Sequence, residues 1–160
     1  MSISKLLCTA GGIVATLLAG ACKSNDLAIS GTTITNSKYF LLDPGQQPNS
    51  VDPMIRFEQR HHLHGAITRE QRKERRGHYY VFWWHDRELT PVIMRLEYRQ
   101  ENTGVNTRVQ EIAVNAPRRS NKTRFQVTGA NYQTGGRVTS WRISIIRDGK
   151  IIAHDQSYLW

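Results

Sequence analysis

The feature that most constrains the fold of this 160-residue chain is a series of short segments in which apolar side chains recur at every second position. In one of these segments, Val92, Met94 and Leu96 are separated by single residues. Successive side chains of a β-strand point to opposite faces, so a period of two predicts strands with one buried face. The predicted strands are 55–64, 79–85, 92–99, 108–114, 123–127, 138–146 and 151–160.

The turns between these strands indicate how they pair. Asp148 and Gly149 separate the last two strands, and Asp-Gly between apolar strands is a strong signal for a type I′ hairpin. Seven short strands with closely spaced turns are typical of an antiparallel β-sandwich, and the chain resembles immunoglobulin and fibronectin type III domains in this respect. The Cys, Trp, Cys pattern of antibody domains is absent, so the resemblance is architectural. We therefore predict an all-β, seven-stranded, antiparallel immunoglobulin-like β-sandwich over residues 55–160.

One segment departs from the strand pattern. Thr68 and Gln71 have the spacing of a helix capping box, and the residues that follow, as far as Arg76, favour a helix. Gly77 is well placed to end that helix. We therefore expect one short helix between the first two strands.

The first 22 residues have the order of an export signal: a charged start, an apolar stretch and small residues at the end. The apolar stretch is too short and too rich in glycine for a transmembrane helix, which needs about 20 residues. Its last part, Leu-Leu-Ala-Gly-Ala-Cys at 17–22, resembles the lipobox of bacterial lipoproteins, although Ala19 stands where leucine is most common. The resemblance implies that signal peptide 1–21 is removed and that Cys22 carries lipid.

The implied anchor would hold the protein in the bacterial cell envelope, because two or more acyl chains attach a protein stably to a membrane. Lys23, rather than aspartate, follows the cysteine, which favours the outer membrane over the inner one by resemblance to enterobacterial sorting. Two alternatives stay open. Residues 19–21 also fit an ordinary cleavage site that releases the protein, and the signal segment could be retained as an anchor. Cys8 and Cys22 are the only cysteines, so no disulfide scaffold is expected in the body of the chain.

Residues 22–54 are predicted to form the lipidated N-terminus and a flexible tether. Pro44, Pro48 and Pro53 fall in this stretch, together with Asn, Gly and Ser residues that mark turns. An apolar island at residues 39–42 interrupts it. The island either belongs to the tether or forms a short strand that docks on the edge of the domain.

The chain is basic, with 22 Lys and Arg against 13 Asp and Glu and a formal net charge of +9. Many basic residues fall in two groups, 69–76 and 118–124. Such groups attract phosphates and anionic polymers. An exported protein meets lipid headgroups and envelope glycans rather than nucleic acid; the alternative is a solvated surface without a ligand. The candidate anion-binding residues are Arg69, Arg72, Lys73, Arg75, Arg76, Arg118, Arg119 and Lys122.

His62 and His64 form a second candidate site. Residues two apart on a strand face the same side, and a His-x-His pair can supply two ligands to zinc or copper. Arg56 and Arg60 would share that face and disfavour a cation. A metal site at His62 and His64 is therefore the alternative hypothesis.

Aromatic residues form the third candidate, because rings at strand spacing either fill a core or line an exposed ligand platform. No nucleophile motif, phosphate loop or metalloprotease motif occurs in the chain. We predict a non-enzymatic binding or structural module without a cofactor, whose partners are the membrane and an envelope protein or anionic polymer. The alternative is a metal-binding or enzymatic accessory protein that uses His62 and His64. The aromatic candidates are Tyr79, Phe82, Trp83, Trp84 and Trp141.

Overall fold

The computed structural model describes residues 31–43 and 52–160. The predicted signal peptide, Cys22 and residues 23–30 lie outside this part of the chain, as do the turn-rich residues 44–51. The strands are β1 (Thr32–Leu42), β2 (Gly77–Asp86), β3 (Val92–Gln100), β4 (Arg108–Val114), β5 (Ser120–Thr128), β6 (Val138–Arg147) and β7 (Lys150–Gln156). The helices are α1 (Pro53–Leu63), α2 (Arg69–Glu74) and α3 (Gly129–Gly135), with a short 3-10 helix at Glu101–Thr103.

The strands form two antiparallel sheets with the orders β1-β2-β5 and β4-β3-β6-β7. Alternate side chains from both sheets point inward and form one core cluster. Phe82 and Trp84 come from the first sheet, and Leu96 and Ile143 come from the second; all four are almost fully buried. The predicted all-β antiparallel sandwich is therefore confirmed.

Strands β2 to β6 lie where the alternating pattern predicted them, with ends that differ by at most a few residues. The last hairpin also follows the prediction. Asp148 and Gly149 have φ angles of 49° and 75°, and Arg147 pairs directly with Lys150 across a two-residue turn. Positive φ at both central residues is the type I′ geometry. Strand β7 ends at Gln156, earlier than predicted.

The predicted first strand, residues 55–64, is wrong because this segment forms helix α1. The Asp52 side chain accepts a hydrogen bond from the Met54 N–H at 2.8 Å, and Pro53 occupies the first turn, where its missing N–H does no harm. The half-buried residues of the segment also follow helical spacing. They are Ile55, Glu58, Gln59, His62 and Leu63.

Strand β1 corrects the predicted boundary between tether and domain. It runs from Thr32 to Leu42 at the edge of the first sheet and pairs with β2 along its length. The apolar island at 39–42 is the end of this strand. The sandwich therefore begins at Thr32 and not at Ile55, and its seventh strand comes from the stretch that was predicted to be a tether.

The capping box predicted at Thr68 is present. Its hydroxyl accepts from the Gln71 N–H at 3.2 Å, and the Gln71 side chain accepts from the Thr68 N–H at 3.1 Å. The helix ends at Glu74, whereas Gly77 begins β2 at a position where a Cβ would overlap the Val127 carbonyl oxygen. Two helices rather than one join β1 to β2, and α3 lies between β5 and β6.

A buried ion pair joins the two sheets at one end of the sandwich. Arg147 on β6 donates to Asp86 on β2 at 2.7 Å, and the Thr32 hydroxyl donates to the same carboxylate at 2.8 Å. Burial by itself raises the pKa of Asp86, but these hydrogen bonds and the charge of Arg147 outweigh it and hold the pKa below its usual value. We name this the Thr32 end, and the opposite end, where β2 begins, the Gly77 end.

Candidate functional site

The outer face of the β1-β2-β5 sheet combines tryptophan with lysine. Trp83 lies at the centre of this sheet and is paired with Lys122 on β5. One pair further along, Val81 is opposite Lys38 on β1 and Arg124 on β5. Residues directly opposite each other in an antiparallel pair project to the same face, so these side chains share one surface.

The two lysines flank the indole ring. The ammonium nitrogen of Lys122 lies 5.0 Å from the Trp83 ring centroid, and that of Lys38 lies 5.6 Å from it. Both distances are within the range of cation–π attraction. The lysines are exposed and the ring is half-buried, so a ligand can reach all three groups. We name Lys38, Trp83, Lys122 and Arg124 the basic-aromatic face.

No carboxylate in the described part of the chain pairs with these cations. Among the described residues, neither lysine nor Arg124 forms an ion pair within 4.0 Å. The outward positions of the three strands also contain no Asp or Glu, so the face has a positive potential that favours anions. These positions are Thr33, Asn36, Lys38, Phe40, Leu42, Gly77, Tyr79, Val81, Trp83, His85, Ser120, Lys122, Arg124, Gln126 and Thr128.

Helix α1 covers the part of the same surface that is nearest to the Gly77 end. The His62 ring stacks on Tyr79 with centroids 3.8 Å apart and on Phe40 at 5.6 Å. Burial lowers the pKa of His62, although the nearby charge of Glu58, 3.5 Å away, raises it. Tyr79 is therefore a packing residue, and the uncovered part of the face is centred on Trp83.

The histidine pair does not have the arrangement on which the metal hypothesis depended. His62 lies on helix α1 and His64 is its C-cap residue, so the two do not share one face of a strand. His62 is in contact with two aromatic rings. In the part of the chain that the structure describes, no three His, Cys, Asp or Glu side chains are grouped to hold a metal ion.

The first basic group serves mainly local structure. Arg75 donates to the carbonyl oxygens of His62 and His64 at the end of α1, and Arg72 donates to that of Ala66 at 3.3 Å. Arg76 lies 4.0 Å from the carboxylate of Asp43. Arg69 and Lys73 are exposed on α2 and have no such contact among the described residues.

The second basic group is divided between a loop and the face. Arg118 and Arg119 lie in the loop before β5, where the Arg118 N–H donates to the Asn121 side chain at 2.7 Å. Lys122 alone of the eight predicted anion-binding residues joins the basic-aromatic face. Lys38 was missed because it lies in the predicted tether. Its position on this face follows from the pairing of β1 with β2.

The aromatic candidates separate according to burial. Phe82 and Trp84 are core residues, and Trp141 packs against that core with its ring 5.6 Å from Phe82. Tyr79 lies under α1. Trp83 and Trp141 are both half-buried, but of the predicted set only Trp83 lies on the outer face of a sheet without a covering helix, which is what a ligand platform requires.

A cavity of about 370 Å³ between β1 and β6 is lined by His78, Tyr80 and Trp141 among others. Nε2 of His78 accepts a hydrogen bond from the Val138 N–H at 3.0 Å. Burial and, to a smaller extent, the charge of Arg137 lower the pKa of His78 to about 4. The imidazole is thus neutral at pH 7. The described lining contains no carboxylate that could act with it as an acid–base pair.

The chain matches no protein-family model, and comparison with curated proteins and solved structures found no similar protein. Among residues 31–43 and 52–160, no helix is long and apolar enough to cross a bilayer.

Proposed function

We propose that the protein is a lipid-anchored, non-enzymatic module of the bacterial cell envelope that binds an anionic polymer through the basic-aromatic face. The observation that supports this most directly is the pair of unneutralised lysines on either side of Trp83. A second support is the lack of any carboxylate among the outward positions of the same three strands. The lipid anchor would bind the membrane, and the basic-aromatic face would bind a polymer or an envelope protein.

The strand order supports an immunoglobulin-like fold of the fibronectin type III kind. In that architecture the first sheet contains strands A, B and E, and the second contains C, F and G with C′ at its edge in some members. The orders β1-β2-β5 and β4-β3-β6-β7 follow this arrangement if the strands are lettered A, B, C, C′, E, F and G. Such domains host many functions, so the proposal rests on the face and not on the fold.

The chemistry of the face favours an acidic polysaccharide. An indole ring offers a flat apolar surface on which the C–H face of a sugar ring can lie, while its cationic neighbours form charge-assisted hydrogen bonds with carboxylate or phosphate groups. Lys38 and Lys122 approach the ring from two different strands, and Arg124 is the next outward residue beyond Lys122 on β5. The three cations and one ring are suited to a repeating polymer with an acid on each sugar unit.

The face can be tested with residues 23–160, which contain every described strand and helix. We expect this domain to bind polygalacturonate, a polymer of acidic sugars, and not the neutral polymer dextran in calorimetric titrations. Reversing both lysines with Lys38→Glu and Lys122→Glu should weaken binding by roughly 100-fold, because each reversal replaces an attraction with a repulsion at the site.

The matched control reverses the same number of charges on helix α2, where Arg69 and Lys73 are exposed. The variant Arg69→Glu with Lys73→Glu should bind polygalacturonate within about threefold of the parent domain. An equal loss in both double variants would mean that the net charge attracts the polymer and that the face is not a site. Equal binding of dextran would contradict the requirement for an acidic ligand.

The anchor is tested separately. Mass spectrometry of the mature protein from bacterial membranes should show a chain that begins at Cys22 and carries lipid. The variant Cys22→Ala should lose that lipid and no longer fractionate with the outer membrane. A mature chain with an unmodified cysteine would overturn the anchor and leave the polymer-binding face to be judged by its own experiment.

A further inference from the structure

The loops at the Thr32 end form a basic surface next to the point where the chain enters the domain. Thr32 pairs with Asp86, whose N–H donates to the Arg119 carbonyl oxygen at 3.0 Å. Gly31, just before β1, lies beside Arg87, because a Cβ on this glycine would be 3.3 Å from the arginine Cβ. The exposed cations at this end are Arg87, Arg118, Arg119 and Lys150.

Two of the three acidic groups at this end are paired with one buried arginine, so five cations face three carboxylates in total. Arg147 pairs with Asp86 at 2.7 Å and with Glu88 at 2.9 Å. Within the described loops of this end, Asp148 is the only carboxylate without such a pair. The surface is therefore net positive, which complements an anionic partner.

The length of chain between the anchor and the domain decides what that partner is. Nine residues lie between Cys22 and Thr32, and the ten Cα-to-Cα steps that they give span at most about 36 Å when fully extended. The Gly77 end is basic as well, through α2, so charge by itself does not distinguish the two ends. A chain anchored at Cys22 enters at the Thr32 end, and the short connection holds that end at high effective concentration near the lipid.

We propose that the Thr32 end docks on anionic lipid headgroups of the membrane that holds the anchor. This proposal rests on the proposed function, since it requires lipid on Cys22. Arg87, Arg118, Arg119 and Lys150 lie within the distance over which surface charge is felt, about 10 Å, once the end touches the membrane. The strands then stand upright, and the basic-aromatic face is presented to polymers beside the protein rather than pressed against the lipid.

The orientation can be measured on the lipidated mature protein, whose body contains no other cysteine. Single cysteines are introduced by Asn115→Cys, in the loop at the Thr32 end, or by Gln133→Cys, on α3 at the Gly77 end; both positions are exposed. Each is labelled with a fluorescent donor, and energy transfer to a headgroup-labelled lipid acceptor is recorded. The vesicles contain either phosphatidylcholine alone or phosphatidylcholine with 30% phosphatidylglycerol, a composition of roughly physiological surface charge.

We expect several-fold higher transfer from position 115 than from 133 on the anionic vesicles, and a smaller difference on the neutral vesicles or in 1 M salt, where the screening length falls to about 3 Å. Reversing the four cations with Arg87→Glu, Arg118→Glu, Arg119→Glu and Lys150→Glu should reduce the difference to its neutral-vesicle value. The matched control reverses four exposed cations towards the other end. It combines Arg56→Glu, Arg60→Glu, Arg69→Glu and Lys73→Glu, and should keep the difference.

Two results would overturn the docking proposal. One is equal transfer from both positions on anionic vesicles. The other is a difference that depends neither on lipid charge nor on the four cations, which would show that the short connection alone orients the domain. A mature protein without lipid on Cys22 would overturn the anchor before any vesicle is prepared, and the docking proposal with it, so the two failures are distinguishable.

Discussion

The two outer faces of the sandwich both place a tryptophan ring against two cations, yet they differ in what surrounds those cations. On the β4-β3-β6-β7 sheet, the Trp160 ring lies 4.5 Å from the guanidinium of Arg99 and 5.0 Å from that of Arg142. Arg142 also donates two hydrogen bonds to Glu97, at 2.8 and 2.9 Å. The basic-aromatic face has the same ring-and-cation geometry without the carboxylates.

Carboxylates recur across the second face. Arg95 on β3 donates to Glu111 on β4 at 2.6 Å, so acidic and basic side chains alternate between neighbouring strands. The Trp160 ring reaches this surface because residues 157–160 turn back over the sheet. The Ser157 N–H donates to the Trp141 carbonyl oxygen at 2.9 Å and begins that turn.

The comparison teaches that a cation–π contact by itself does not mark a binding site. On the second face the contact holds a segment of the chain against the sheet, and Arg142, one of the two arginines at the ring, is paired with Glu97. On the first face the lysines keep their full charge toward solvent. The capacity to attract an anion therefore follows from the missing carboxylates and not from the aromatic ring.

The largest expected effect concerns the interior that the two faces share. It is a loss of stability at low pH that originates from His78 and not from the charged residues of either face. The pKa of His78 is lowered to about 4, so the unfolded chain binds a proton more readily than the folded one between about pH 6.5 and 4. The free energy of unfolding should therefore fall by roughly 3 kcal/mol as the pH drops through this window. Urea denaturation at pH 7, 6, 5 and 4 measures it.

The variant His78→Gln should lose most of this pH dependence, even if it is less stable at pH 7. The lowered pKa of His62 acts in the same direction, so His62→Gln should remove a smaller part. A slope that His78→Gln leaves intact would place its origin elsewhere.

Much of the sandwich could be predicted from the sequence, and the exceptions have identifiable physical causes. The inward residues of β2 to β6 give a period of two because each strand buries one face in a common core. Segment 55–63 fits that period and the helical period equally well, and Asp52 and Pro53 decide for a helix. In β1 the register shifts between Ile34 and Asn36, which breaks the alternation and conceals the strand.

The candidate site was less accessible to sequence analysis. Its cations come from β1 and β5, which are separated by about half the chain, and meet only because β2 lies between them. Lys122 was predicted as an anion-binding residue, but nothing local connects it with Lys38 or Trp83. Three residues of the first basic group, Arg72, Arg75 and Arg76, have a different explanation, since carbonyl oxygens and Asp43 engage several of their donors. Lipid on Cys22 stays a prediction.

A second, smaller effect compares the two tryptophans directly. Trp83→Ala should weaken polygalacturonate binding by up to about tenfold, because a ring that contacts a ligand contributes in proportion to its stacking and cation–π energy. Trp160→Ala should leave that affinity unchanged and lower the free energy of unfolding by about 1 kcal/mol through loss of its contacts with Arg99 and Arg142. Calorimetry and urea denaturation of the same samples give both quantities.

The two variants act as controls for each other, since each removes one tryptophan from an outer face. Equal losses of affinity would indicate that the polymer contacts both faces or that the domain is damaged in general. Unchanged affinity of Trp83→Ala would leave the lysines as a simple charge pair and remove the ring from the proposed site.

The smallest effect is a gain of binding, and it tests the comparison in the other direction. If carboxylates alone prevent the second face from binding anions, then Glu97→Gln with Glu111→Gln should make Arg142 and Arg95 available to an anion. The clearest background is the domain with Lys38→Glu and Lys122→Glu, whose own face is disabled. There the two glutamine substitutions should raise polygalacturonate affinity about three- to fivefold, at a stability cost of about 1 kcal/mol or less, as is usual for partly exposed pairs.

The matched control is made in the same background. It is Glu70→Gln with Glu74→Gln on α2, which changes the net charge by the same amount away from both faces. If the control raised the affinity as much, the change in net charge would explain the gain. If neither variant raised the affinity, the absence of acidic neighbours would not be what distinguishes the two faces. The difference would then follow from the geometry of the lysines around Trp83.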